Sequence, residues 1–278
     1  MRFVRRLFLW FVPAAIGALT GGLLTAGAYA GLSGNLGQPV GDAPPPAATL
    51  APAPGGASGE LRIAALGDSL TRGAGDNAGG YPERVAQTLR KAGRAVSLVN
   101  LGVDGLETTD LLKKLEDRSM LESLKGAGLI LLSISGNDLS HSFPRGAVSG
   151  DGGDPTVAAL SRASTNVRKI LAAVREANPT APIRLLGLYD PFPTATGDRR
   201  LAKELLLRWN VALEQAAYTV PGALVVPTAD LFEARIDRLS ADRFHPGPSG
   251  YAEIAARVVS TLRVEPAETA PAARQSPG

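Results

Sequence analysis

The stretch Ile63-Ala64-Ala65-Leu66-Gly67-Asp68-Ser69-Leu70-Thr71-Arg72-Gly73 limits what this chain can fold into more than any other. A short apolar run that breaks into glycine and small polar residues reads as a buried strand ending in a turn, with Ser69 at the point of exit. Gly67 and Gly73 allow the backbone to turn tightly and to approach a substrate closely. In a parallel α/β sheet the carboxyl ends of the strands form the edge where ligands bind.

The same pattern recurs along the chain. Residues 95–101 empty into Asn100-Leu101-Gly102-Val103-Asp104-Gly105, and residues 128–135 deliver Gly136-Asn137-Asp138. A fourth strand is predicted over 182–188, leading into Tyr189-Asp190-Pro191-Phe192, and a short fifth over 223–226. Apolar residues at helical spacing predict helices between them. These cover 81–92 (Val85, Ala86, Leu89), the segment carrying Leu111, Leu112 and Leu115, then 157–177, 199–218 and 251–264. Along 199–218 the apolar face is Leu201, Leu205, Trp209, Ala212, Leu213 and Ala216. Strands alternating with helices predict one parallel sheet covered on both faces. Residues 139–154, rich in glycine and without periodicity, read as a loop of a size that tends to be functional.

The two ends have different compositions. Arg2, Arg5 and Arg6 precede an uncharged stretch from Leu7 to Ala30, long enough for a bilayer span, which needs roughly 20 residues. It closes with Ala28-Tyr29-Ala30, a pattern that suits signal peptidase. Length favours a retained anchor, with the basic end inside and the remainder exported; cleavage after Ala30 would give a secreted protein. Residues 1–32 are therefore expected to be a signal peptide or membrane anchor and 33–59 a Pro/Ala/Gly-rich linker. The expected domain runs over 60–264, with a disordered tail over 265–278.

Charge and cysteine count exclude several functions. Of 29 basic residues three fall in residues 1–30, which hold no acidic residue; the remaining 26 match the 26 acidic groups, leaving no net formal charge on the exported part. Without a basic stripe carrying aromatics, nucleic-acid binding has no support. The absence of cysteine removes disulfides, thiol nucleophiles, Cys-ligated zinc and a lipid-modified cysteine, and is compatible with export.

A serine hydroxyl needs a base to become nucleophilic, and the base works best when a carboxylate fixes its tautomer. Only His141 and His245 are available. His245 lies in Asp242-Arg243-Phe244-His245-Pro246, where an aspartate three residues ahead on the same loop can reach the imidazole. Pro246 and Pro248 are expected to keep this loop out of regular structure. Acyl transfer also requires donors aimed at the developing oxyanion. The Ser69 amide, the amide of a glycine in the second loop and an asparagine side chain in the third could supply them, with Gly105 and Asn137 as candidates. An α/β-hydrolase elbow is not present, because position 71 is Thr where Gly-x-Ser-x-Gly requires glycine. A phosphate-binding loop is also missing, which argues against a nucleotide binder.

Taken in order, Gly67-Asp68-Ser69-Leu70, the Gly105 loop, Gly136-Asn137-Asp138 and Asp242-x-x-His245 resemble the four signature blocks of the SGNH (GDSL) hydrolase family. They span residues 63–251. The resemblance implies Ser69 as nucleophile, His245 as general base and then acid, and Asp242 as its orienting partner. It further implies an oxyanion hole made by Ser69, Gly105 and Asn137. Gly105 is chosen over Gly102 because it stands five residues after Asn100, as in the family's Asn-x-x-x-x-Gly pattern. The implied fold is flavodoxin-like, a three-layer α/β/α arrangement with a five-stranded parallel sheet in the order 2-1-3-4-5.

Within that family, Gly187-Leu188-Tyr189-Asp190-Pro191-Phe192 and the amino-terminal anchor are most similar to lysophospholipase L1-like members of Gram-positive envelopes. The expected function is a serine esterase or lipase acting through an acyl-enzyme on Ser69, on lysophospholipids or short-chain acyl esters. Two alternatives stand beside it, an envelope carbohydrate O-deacetylase and a non-catalytic glycan- or lipid-binding module. His141, Phe143 and Tyr189 are candidates to line the acyl pocket. The expected partners are a small-molecule or lipid ester and a membrane held through residues 7–30, with no cofactor and no metal. The expected location is the extracytoplasmic face of the cell membrane.

Overall fold

The computed structural model describes residues 48–49, 59–142, 155–190 and 199–263. Five strands form one all-parallel sheet: β1 (Leu61–Gly67), β2 (Val96–Gly102), β3 (Leu129–Ser133), β4 (Ile183–Leu186) and β5 (Ala223–Val226). Their order is β2-β1-β3-β4-β5, the 2-1-3-4-5 arrangement expected from the sequence. Helices α1 (Ser69–Arg72) and α2 (Gly80–Lys91) follow β1, and α3 (Thr108–Lys114) and α4 (Arg118–Lys125) follow β2. After β3 come α5 (Gly136–Ser142) and α6 (Pro155–Ala177), and after β4 comes α7 (Arg199–Tyr218). β5 leads through α8 (Ala229–Phe232) and a 3₁₀ turn (Ile236–Arg238) to α9 (Pro248–Ser260).

The period of two along the strands sorts side chains onto two faces. Ala64 and Leu66 of β1 with Ile130 and Leu132 of β3 join a core that includes Leu111, Val167, Ile170, Trp209 and Leu213. Ile63 and Ala65 with Leu129 and Leu131 join a second core that includes Val85, Leu89, Phe232, Tyr251 and Ile254. The central strands are buried on both sides, which is why they read as continuous apolar runs. A three-layer α/β/α architecture follows.

Four sequence expectations change. Helix α4 was not foreseen: its buried residues are Met120 and Leu124, one turn apart, too short a repeat to register as periodicity. Residues 139–142, expected as loop, belong to α5, while 143–154, which include Phe143, lie outside the described residues. The last helix starts at Pro248, not Tyr251, and stops at Ser260. Proline at the first helical position loses no hydrogen bond and has its φ already set, so Pro248, expected to lie in the irregular loop, begins the helix. Finally, Ala48–Thr49, within the expected linker, pair in parallel with Leu262–Arg263. The expected anchor and carboxyl-terminal tail lie outside the described residues. Among the described residues no helix is long and apolar enough to cross a membrane.

One close approach sets the carboxyl edge of the sheet. Gly67 ends β1 at φ +137°, opposite Ser133, and a Cβ there would stand 1.8 Å from the Ser133 carbonyl oxygen. Gly67→Ala should therefore cost about 3 kcal/mol or more, since both the dihedral and the contact are denied to alanine. Urea denaturation of the variant against wild type measures it; a loss below about 1 kcal/mol would mean that β1 and β3 separate readily at this point.

Candidate active site

Ser69 stands directly after β1 as the first residue of α1, and Asp68 caps that helix by accepting the Leu70 amide at 3.1 Å. The first amide of a helix has no intrahelical acceptor, so the Ser69 N–H is left for another partner. The serine is buried, at 7% exposure, with its hydroxyl facing the loop before α9. There His245 Nε2 lies 2.9 Å from Ser69 Oγ, and His245 Nδ1 lies 2.6 Å from Asp242 Oδ2. A carboxylate only accepts, so Nδ1 carries a ring proton, and in the neutral imidazole the Nε2 lone pair faces the serine hydroxyl. The structure thus brings Ser69, His245 and Asp242 into one hydrogen-bonded line.

The carboxylate is held by its own loop. Asp242 Oδ1 accepts from Ser240 Oγ at 2.6 Å and from the amides of Phe244 and His245, both at 2.9 Å. Partial burial acts to raise the Asp242 pKa, but donation from Ser240, His245 and the two amides outweighs it and holds the group well below the usual carboxylate range. Arg243 takes a positive φ of 55° inside this turn. Tyr189, a pocket candidate from the sequence, instead donates its hydroxyl to the Phe244 carbonyl at 2.7 Å and stacks on Phe232. Its place is behind the histidine loop. His141 lies in α5, and its side chain is outside the described residues.

The two glycines of the second loop have different tasks. Gly102 ends β2 against α1, where a Cβ would come within 2.3 Å of the Arg72 nitrogen, so its lack of a side chain permits packing. Gly105 has φ +72° with open space around it, and its N–H has no hydrogen-bond partner among the described residues. Asn137, in the first turn of α5, donates from Nδ2 to the Leu106 carbonyl at 2.9 Å. An amide NH₂ has two protons, and this bond uses one.

Residues that sequence reasoning did not single out support these groups. Ser133, the last residue of β3, donates to Asp68 Oδ1 at 2.6 Å and accepts from the Thr71 amide at 3.1 Å. Asp138 accepts from the Thr108 amide at 3.0 Å and its hydroxyl at 2.5 Å. Ser133 had one legible signal, being a polar residue at the end of a buried apolar run. Among the described residues no group of His, Cys, Asp or Glu could hold a metal ion.

This geometry can be set beside known proteins. The GDSL-like lipase/acylhydrolase family profile matches residues 65–253, which take in Ser69, Gly105, Asn137, Asp242 and His245. The chain belongs to that family. The protein YpmR of Bacillus subtilis is 33% identical over 213 residues, covering 73% of this chain and 82% of its own length. The spore germination lipase LipC of Bacillus licheniformis is 32% identical over 201 residues, covering 69% of this chain and 91% of the relative. Among solved structures, the lipase Lip_vut3 from a goat rumen metagenome superposes with a TM-score of 0.65 at 29% identity, over 72% of this chain and 97% of that one. Axe2, an acetylxylan esterase from Geobacillus stearothermophilus, shares the fold at 16% identity with a TM-score of 0.57, over 76% and 97% of the two chains. The protein is a carboxylic ester hydrolase of the GDSL family.

The depressed pKa of Asp242 links its charge to stability. In the folded protein it stays ionised where an unfolded aspartate, near about 3.9, takes up its proton, so its contribution is complete above about pH 4 and fades as pH falls through the folded value. Thermal denaturation of Asp242→Asn beside wild type should give a Tm gap at about pH 7 that narrows towards about pH 3. A gap independent of pH would mean that charge is not what the surrounding donors hold.

Proposed function

We propose that the protein is a serine esterase that hydrolyses carboxylic esters through an acyl-enzyme on Ser69. The observation that carries this reading is the line from Asp242 through His245 to Ser69, with gaps of 2.6 and 2.9 Å. His245 takes the serine proton at Nε2 as Oγ attacks the ester carbonyl, and Asp242 favours the imidazolium that forms. The carbonyl oxygen becomes an oxyanion and is met by the Ser69 amide, the Gly105 amide and the second Asn137 Nδ2 proton. His245 then returns the proton to the leaving alcohol. In the second half a water loses its proton to Nε2, attacks the acyl carbon and releases the acid. The cycle needs no metal or cofactor.

For the substrate we favour lipid-derived esters, lysophospholipids or related acyl esters. LipC and Lip_vut3 are lipases, and an anchor over residues 7–30 would hold a domain over 60–264 at the extracytoplasmic face of the membrane, close to such substrates. A second reading, O-deacetylation of an envelope carbohydrate, is favoured by one feature. A cleft of about 570 Å³ is lined by Arg72, Asn77, Ser240 and Asp242 together with the small residues of 73–75 and Ala241, and an open wall with these polar groups suits a hydroxyl-rich leaving group.

Hydrolysis of para-nitrophenyl esters of graded chain length, wild type beside Ser69→Ala, tests both. Turnover should fall by roughly 10⁴-fold or more in the variant. An optimum at medium or long chains supports the lipid reading and an optimum at acetate the deacetylase. Equal, negligible turnover by both proteins on every ester would leave a glycan- or lipid-binding module.

A further inference from the structure

The two candidate oxyanion donors outside α1 lie on different connections, Gly105 in the loop after β2 and Asn137 in the first turn of α5 after β3, and catalysis by both requires a fixed distance between them. Two cross-ties span these connections. One is the bond from Asn137 Nδ2 to the Leu106 carbonyl, at 2.9 Å. The other is made by Asp138, whose Oδ2 accepts from the Thr108 amide at 3.0 Å and whose Oδ1 accepts from the Thr108 hydroxyl at 2.5 Å. Thr108 is fully buried and opens α3, three residues beyond Gly105.

The direction of the hydroxyl bond is fixed from a third helix. Asn166 of α6 donates from Nδ2 to Thr108 Oγ1 at 3.0 Å, so the Thr108 proton is directed to Asp138. The residue ahead of this turn is also constrained. Ser135 is fully buried at a positive φ of 95°, and its Oγ accepts from Trp209 Nε1 at 3.0 Å. A non-glycine residue held in that region is retained when its surroundings over-determine it. Asn137 is thus seated from both sides, by Ser135 two residues before it and by Asp138 immediately after.

From this arrangement we infer that Asp138 is the positioning residue of the oxyanion hole, setting the Asn137 side-chain amide against the Gly105 amide through its paired bonds to Thr108. It touches neither substrate nor Ser69; it acts on the transition state through the spacing of two donors. The inference rests on the acyl-transfer reading above.

The test uses Asp138→Asn, Thr108→Val, the double variant and Thr108→Ser. Steady-state hydrolysis of a para-nitrophenyl ester is measured together with inhibition by an alkylboronic acid, whose tetrahedral serine adduct places an oxygen in the oxyanion hole. Asp138→Asn and Thr108→Val should each lower kcat about 10- to 100-fold and leave KM within about twofold. Boronate Ki should rise in step with the kcat loss. The double variant should be no worse than the poorer single variant, because both substitutions break the same hydroxyl–carboxylate bond. Thr108→Ser, which keeps the hydroxyl, should recover most of the wild-type rate. Should Asp138→Asn fail to fold, Thr108→Val and Thr108→Ser decide the matter alone. Unchanged kcat, or a kcat loss with boronate Ki at its wild-type value, would overturn the positioning role. Ser69→Ala separates the two claims: activity surviving in that variant sinks the acyl-enzyme reading, whereas its loss beside a normal Asp138→Asn sinks only this one.

Discussion

The hydroxyl of Ser133 makes the interactions on which the position of Ser69 depends. It donates to Asp68 Oδ1, accepts from the Thr71 amide and lies 2.7 Å from Thr71 Oγ1, which in turn lies 3.2 Å from the Tyr81 hydroxyl. Residues on both sides of Ser69 are thereby fastened to the neighbouring strand. Burial, the largest influence, raises the Asp68 pKa, while donation from Ser133 and the Leu70 amide and the field of His245 act against it. A hydrogen bond to a charged group is worth about 1.5–3 kcal/mol, and a buried charge without one costs more. The network therefore holds only when complete, and this couples the orientation of the serine turn to the pairing of β1 with β3.

The histidine is held by a different physical logic. Asp242 builds a local turn, accepting from amides two and three residues ahead while its second oxygen meets the imidazole. Ser240 adds a hydroxyl from the other side, and Tyr189 secures the Phe244 carbonyl. Asp242 is about half exposed, yet the number and alignment of its donors preserve its charge. His245 and Asp242 form one short unit that can dock as a piece, whereas Ser69 depends on contacts between residues far apart in sequence.

That difference explains what could be read without coordinates. The strand runs, the strand order through the family resemblance, and the Asp242-x-x-His245 pair are local patterns. Runs such as Ile63–Leu66 announce burial on both faces, and a three-residue spacing within a loop already limits how far two side chains can separate. Helix α4 escaped because its two buried residues, Met120 and Leu124, lie a single turn apart and make no sustained period, and Pro248 was misread because its effect depends on whether it falls inside a helix or begins one. The pairing of Ala48–Thr49 with Leu262–Arg263 joins segments separated by almost the whole domain, and composition alone made the first of them look like spacer. Ser133, Thr108 and Asp138 are ordinary polar residues until the sheet places them beside Asp68, Asn137 and each other. Their roles lie in tertiary pairing, to which a single sequence gives no direct access.

The sheet order is what makes these separate pieces converge. With β1 between β2 and β3, the connections that carry Ser69, Gly105 and Asn137 leave three adjacent strands in the same direction. The spacing between strands, about 4.8 Å, then sets the scale of the site. β5 lies at the far edge, so His245 must return across the sheet to meet a serine 176 residues earlier in the chain. Helix α9 anchors that return: Tyr251, two turns or less beyond His245, is buried beneath the sheet and donates its hydroxyl to the Ala74 carbonyl at 2.7 Å. The bond fastens the helix after His245 to the loop after Ser69. Strand pairing therefore sets the coarse separation of Gly105 and Asn137, which the Asp138–Thr108 bonds then refine, and one helix docked against α2 sets the meeting of His245 and Ser69. The two halves of the site can be perturbed separately, because they are built on different contacts.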